Sequence, residues 1–212
     1  MFVSVGDRLE NKSNKAPEEE ILARLVQIAG SEVMDVTLKA SEIIEKNNDK
    51  AMELIYAYDA TLGGTGVYLM KEKRKLGVYR ALSYVKMSMN NPNAVNLTRF
   101  AAFSACAYIE ALLKKVVHTW FWEKIRPDGL PLGVLLYRYK KHLPPELYEN
   151  LNWLTKNIYN PAKHNTHFEN DENEPENYFS ITDSIATYFI CRKLGLELER
   201  LMGKSQEELE SE

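Results

Sequence analysis

Hydrophobic positions recur every three or four residues along most of the chain, which is the period of amphipathic helices. Pro17 followed by three glutamates predicts a helix start, since proline fits the first turn and acids favour the positive end of the helix dipole. Ser180, with Asp183 three residues later, predicts a reciprocal cap for the last helix. Pro161 predicts the end of the helix before it, because the residue preceding a proline is displaced from helical geometry. The predicted helices cover about residues 17–29, 31–43, 51–62, 78–89, 97–121, 131–142, 145–160 and 180–202.

Two segments stand out from this regular pattern. Residues 97–121 are apolar nearly all round and rich in small side chains, which predicts a central helix that its neighbours approach closely. Residues 66–79 repeat a Gly-Val-Tyr triplet on either side of a basic run, so a short hairpin competes with a helix there. The chain is therefore predicted to be an all-α, up-down helical bundle. We expect a flexible N-terminus at 1–16, an N-terminal helical segment at 17–92, the bundle at 93–203 and an acidic tail at 204–212.

Composition agrees with a folded chain that has neither a membrane span nor a secretory leader. Of the 212 residues, 45% are apolar and 27% are charged, so the chain can bury a core. The longest nearly uncharged run, 100–113, is too short to cross a bilayer, and the N-terminus lacks the features of a signal peptide. Cys106 and Cys191 lie inside apolar helical patterns, as buried thiols do. We therefore expect a cytoplasmic protein.

Charge is distributed unevenly along the chain. The formal net charge is −3, but residues 1–63 carry −5, residues 64–142 carry +10 and residues 143–212 carry −8. A basic segment of this kind predicts a face for a polyanion such as RNA, or for an acidic protein surface. Mutual neutralisation of the three parts within the fold is the alternative. Many of these cations form two clusters along the chain. The first cluster contains Lys71, Lys73, Arg74 and Lys75. The second contains Arg138, Lys140 and Lys141, interleaved with tyrosines.

The sharpest local feature is the segment from Asn160 to His167, which contains two of the four histidines beside Lys163. If this segment is helical, His164 and His167 share one face and are candidates for acid–base catalysis near neutral pH. A turn in which His164 packs against Tyr159 is the alternative without catalysis. A zinc site needs three or four ligands, and the nearest acids lie in an acidic loop, so no metal is predicted.

Glu110 is the only charge within the most apolar part of the central helix. A buried carboxylate has to be paired or neutral, so a partner is implied. Lys114, four residues further on, is the local candidate. Arg99 lies three turns earlier on nearly the same face, and a lysine or histidine of the 160–167 segment could instead reach across the bundle.

Three pieces of the chain carry a resemblance to a known family. They are the helix from Phe100 to Lys114, the helical hairpin that ends in Tyr159-Asn-Pro-Ala-Lys-His164, and the closing helix that starts near Phe179. Together, over about residues 95–203, they resemble the HEPN superfamily of nucleotide-binding, four-helix domains. The resemblance implies a helical bundle that forms a homodimer. It also implies either a metal-independent endoribonuclease of the toxin or abortive-infection type, or a member that binds nucleotides or partners without catalysis.

The catalytic signature of that family is an arginine and a histidine separated by four to six residues. Only His164, or less well His167, corresponds to the histidine, and the nearest preceding arginine is Arg138, far upstream. Asn160 and Lys163 occupy the region where the arginine would stand. The resemblance therefore favours a non-catalytic module that binds RNA, a nucleotide or an acidic protein and needs no cofactor. An endoribonuclease that uses His164, or a purely structural or oligomerisation protein, are the alternatives.

Overall fold

The computed structural model describes residues 15–44, 46–62, 97–121, 127, 129–164 and 179–202 of the chain. Throughout these ranges the regular structure is helical and no strand is present, which confirms the all-α class. The helix predicted at 78–89 and the hairpin predicted at 66–79 lie outside the described residues. The α-helices are α1 (Glu18–Ala29), α2 (Ser31–Ile44), α3 (Asn48–Thr61), α4 (Leu97–Trp120), α5 (Leu132–Tyr139), α6 (Pro145–Leu154), α7 (Asn160–His164) and α8 (Ile181–Met202). A 3-10 turn at Lys140–His142 follows α5, and a π-helical turn at Thr155–Tyr159 joins α6 to α7.

Local signals in the sequence account for several helix ends. Gly30 ends α1 with a φ of 93°, which favours glycine, and its N–H donates to the carbonyl of Val26 at 2.8 Å. At the start of α8, the Ser180 N–H donates to Asp183 Oδ2 at 2.9 Å, and the Asp183 N–H donates to Ser180 Oγ at 3.0 Å. The predicted reciprocal cap is therefore confirmed.

The core forms around the two longest helices, α4 and α8, which pack along each other. Helices α1 and α2 pack against α8, and α3 packs against α2. Gly195 permits close contact between α8 and α4, because a Cβ at this position would lie 2.5 Å from the hydroxyl oxygen of Tyr108. Cys106 and Cys191 are buried free thiols in this core. Within the described residues, no helix combines the length and apolarity needed to cross a bilayer.

A buried ion pair connects α3 to α8. Arg192 Nε donates to Asp59 Oδ1 at 2.6 Å, and each side chain is only 1% exposed. Burial alone would lower the pKa of the Arg192 guanidinium, but Asp59 outweighs it and raises that pKa. Removal of either partner of a buried ion pair is costly, so this contact between α3 and α8 depends on both side chains.

The chain remains helical through Pro161, so the prediction that this proline ends the helix is wrong. Proline has no N–H for the carbonyl four residues back, and its ring normally collides with that carbonyl. The π-helical turn widens the helix here, and the Asn160 N–H donates to the carbonyl of Thr155, five residues back. The Asn157 carbonyl, which Pro161 leaves without its usual donor, accepts the N–H of Ala16 at 3.1 Å. A distant segment therefore satisfies the group that the proline exposes.

Residues 15–20, here called the N-terminal strap, contact both α8 and the continuous helix formed by α6, the π-helical turn and α7. Lys15 Nζ lies 2.9 Å from Asp183 Oδ2, and Trp153 Nε1 donates to Glu20 Oε1 at 2.7 Å. Lys15 and Ala16, which the sequence placed in a flexible N-terminus, therefore make specific contacts, and Ala16 is buried.

Candidate functional site

Glu110 lies at the centre of a polar cluster where α4, the start of α5 and the π-helical turn meet. Its Oε1 accepts a hydrogen bond from Lys114 Nζ at 2.7 Å. Its Oε2 accepts from the Tyr159 hydroxyl at 3.0 Å and from the Leu132 N–H at 3.2 Å. The Leu132 N–H belongs to the first residue of α5, so Glu110 caps a neighbouring helix. We call Glu110, Lys114 and Tyr159, with Lys163 beside them, the Glu110 cluster.

Hydrogen bonding keeps the Glu110 carboxylate charged. Burial tends to raise the pKa of this carboxyl, but the hydrogen bonds from Lys114, Tyr159 and Leu132 outweigh it and lower the pKa. Three donors already occupy the oxygens of Glu110. This geometry suits a fixed hydrogen-bond acceptor better than a general base. The predicted pairing of Glu110 with Lys114 is confirmed. No histidine or lysine from the 160–167 segment is among these three donors; Tyr159, just before that segment, donates instead.

Tyr159 connects the Glu110 carboxylate to the surface of α7. Its ring stacks on Phe103 of α4, with centroids 5.5 Å apart and planes inclined by 28°. The Lys163 ammonium lies 5.7 Å from the centroid of the same ring. Burial and the nearby Glu110 charge raise the pKa of the Tyr159 hydroxyl, so it remains a proton donor to the carboxylate.

Continuation of the helix through Pro161 places three of the predicted residues on α7. Asn160 is its first residue and is partly buried, Lys163 is exposed, and His164 is its last residue. Helix α7 packs against α4, which carries Glu110. The structure thus brings the predicted Glu110, Asn160 and Lys163 to one region, with the backbone of His164 at its edge. His167 lies outside the described residues.

None of the other predicted cations that the structure describes is part of this cluster. Arg99 is in the first turn of α4, and at 1.5 Å per residue it lies roughly 16 Å from Glu110 along the axis. Arg138, Lys140 and Lys141 are exposed at the far end of α5 and in the 3-10 turn that follows it. Lys71, Lys73, Arg74 and Lys75 lie outside the described residues.

Sequence reasoning missed the hydroxyl of Tyr159 and the N–H of Leu132 as partners of Glu110. Neither has a local signal, because they follow Glu110 by 49 and 22 residues and reach it only through the packing of three helices. Within the ranges that the structure describes, no group of three or more histidine, cysteine or acidic residues is arranged to hold a metal ion.

Comparison of the chain with models of known protein families, with curated proteins and with solved structures finds no match.

Proposed function

We propose that this protein is a HEPN-like helical module that binds RNA at the Glu110 cluster without cleaving it. The observation that carries the proposal is the continuation of the helix through Pro161, which holds Lys163 and Asn160 on one short turn beside Glu110 and Tyr159. An exposed ammonium can contact a phosphate, and a partly buried amide can donate to and accept from a base edge.

The charge of the surrounding chain supports a polyanionic ligand. In α4, α5 and the 3-10 turn that follows, six residues are lysine or arginine and one, Glu110, is acidic. Lys114 and the Tyr159 hydroxyl each bond to Glu110, and Lys163 lies over the Tyr159 ring. Since Lys114 is already bonded to Glu110, Lys163 is the cation most available to a phosphate.

The test is the binding of a labelled RNA by the full-length protein at several salt concentrations. We expect binding that weakens steeply with salt, because phosphate contacts release counterions. Lys163→Glu should weaken binding, whereas Lys39→Glu, the same charge change on an exposed residue of α2, should not. Absence of binding even at low salt would refute the proposal, as would equal binding by both variants and the wild type.

An endoribonuclease is the second candidate, and the helical position of His164 favours it. A histidine at the end of α7 could accept the proton of a ribose hydroxyl, and Lys163 could stabilise the developing phosphate charge. Incubation of RNA with the wild type, His164→Ala and the control His118→Ala distinguishes the two functions. If the wild type and His118→Ala cleave the RNA but His164→Ala does not, the protein is an endoribonuclease. That result would replace the proposal of binding without cleavage.

A further inference from the structure

Helix α5 presents an aromatic ring to solvent among cations. Its inner face is apolar and packs into the core, while Tyr137 on the outer face is 82% exposed. The next most exposed large apolar side chain in the described part of the chain is Phe100, at 44%. The buried residues of the inner face are Leu132, Leu135, Leu136 and Tyr139.

Packing explains the neighbouring tyrosine but not Tyr137. Tyr139 is 3% exposed, and its ring lies 5.2 Å from that of Phe121 at the end of α4. Tyr137, two residues earlier, points away from this contact because it lies on the opposite side of the helix. Its ring therefore adds little to the stability of the fold and is free to contact a ligand.

Three exposed cations follow this ring along the chain. Arg138 is exposed beside it, and Lys140 and Lys141 are exposed in the next turn. The Lys140 ammonium lies 5.0 Å from the centroid of the Tyr148 ring, which restrains it at this end of α5. Along the chain, no acidic residue occurs between Asp128 and Glu146. We call Tyr137, Arg138, Lys140 and Lys141 the Tyr137 face.

We propose that the Tyr137 face binds single-stranded RNA, with one base stacked on the Tyr137 ring and adjacent phosphates beside Arg138 and Lys141. An aromatic ring among cations is the arrangement by which proteins hold unpaired bases, whereas the bases of a duplex already stack on each other. An acidic peptide would contact the cations but would not need a stacking surface.

This inference rests on the proposed function and specifies its ligand. Leu132 at the start of α5 is bonded to Glu110, and Tyr137 follows five residues later, roughly 8 Å along the helix. In this proposal, a strand bound at the Glu110 cluster continues along α5 to the Tyr137 face.

The test compares the affinity of the full-length wild type, Tyr137→Ala and Tyr137→Phe for a fluorescent single-stranded RNA decamer by anisotropy. A decamer duplex, a mononucleotide and an oligoglutamate serve as competitors. We expect Tyr137→Ala to bind about 5- to 150-fold more weakly, the range observed when a base loses an aromatic partner. Tyr137→Phe should bind as the wild type does, because it retains the ring. Far-ultraviolet circular dichroism of each variant verifies the fold.

Several outcomes would overturn the inference. If Tyr137→Ala binds the decamer as tightly as the wild type while Lys163→Glu binds it weakly, the Tyr137 face is not used although the proposed function stands. If the wild type does not bind the decamer at all, both this inference and the proposed function are refuted. If oligoglutamate or the duplex displaces the decamer as well as unlabelled single strand does, the face is not selective for single-stranded RNA.

Discussion

Replacement of Glu110 by alanine should be among the most destabilising changes near the candidate site. The carboxylate bonds α4 to α5 and to the π-helical turn through three donors, and its side chain is only 16% exposed. Glu110→Ala leaves the buried Tyr159 hydroxyl without this acceptor and removes the cap of α5. The three contacts differ in strength, so the structure predicts an order among the variants.

The Tyr159 hydroxyl contributes most. Tyr159 is 5% exposed, and a buried polar group that loses its partner costs about 1–3 kcal/mol. Loss of the cap at the Leu132 N–H costs about 1 kcal/mol. Lys114 is 21% exposed and pairs within one helix, so its contribution is at most about 0.5 kcal/mol. Glu110→Ala should therefore lower the free energy of unfolding by about 2–4 kcal/mol, Tyr159→Phe by about 1 kcal/mol and Lys114→Met by less.

Urea unfolding followed by circular dichroism measures these differences. The order Glu110→Ala, Tyr159→Phe, Lys114→Met is the expected result. If Lys114→Met destabilises as much as Glu110→Ala does, the ion pair dominates and the hydrogen-bond reasoning is wrong. The pH dependence gives an independent check, because the folded pKa of Glu110 is lowered below its usual 4.5. Its contribution is complete above that value and is lost as pH falls through the folded pKa, so Glu110→Gln should show a weaker loss of stability in acid.

Four further substitutions test the rest of the fold. Arg192→Leu and Asp59→Ala should each cost about 3–5 kcal/mol, because each removes the ion-pair partner of a buried charge. Replacement of both by apolar residues should cost less than the sum of the two single changes in a double-mutant cycle. Gly195→Ala should lower the melting temperature, because the added methyl group would overlap the Tyr108 ring. This is expected although alanine favours helices more than glycine does, and an unchanged melting temperature would contradict it. Ser180→Ala should cost about 1 kcal/mol through loss of the α8 cap, as measured by urea unfolding.

Helices that depend on local signals could be predicted from the sequence. The end of α1 at Gly30 needs only a residue that tolerates positive φ, and the start of α8 needs only Ser180 and Asp183 at capping distance. The central position of α4 follows from its apolar surface on nearly all sides. Each of these features depends on residues within a few positions of one another, so the sequence alone contains the necessary information.

The helix through Pro161 could not be predicted, because its stability depends on a distant segment. The donor that replaces the missing N–H belongs to Ala16, at the other end of the described chain. Local preference correctly opposes a regular α-helix here, and the chain satisfies that preference with a π-helical turn instead of a break. Pro161 thus marks the position of the irregularity in the sequence, but the contact with Ala16 that accommodates it is visible only in the tertiary structure.

The candidate site was predictable in its residue types but not in its contacts. Glu110 was identifiable as an isolated charge in an apolar helix, and the segment from Asn160 to His164 by its chemistry. The hydrogen bond from Tyr159 to Glu110 depends on how the chain rotates within the π-helical turn. In the sequence, Tyr137 and Tyr139 are equivalent candidates. Only the packing of α5 shows that the ring of Tyr137 is exposed and that of Tyr139 is buried.

The N-terminal strap explains how the candidate site keeps its geometry. Lys15 contacts Asp183 at the start of α8, and Ala16 donates to Asn157 just before α7. The strap therefore connects the π-helical turn to the start of α8. Because the Asn157 carbonyl has no donor from Pro161, displacement of the strap would expose a polar group inside the turn that positions Tyr159. A change that detaches α1 is therefore expected to alter α7 and the Glu110 cluster, although α1 contributes no side chain to that cluster.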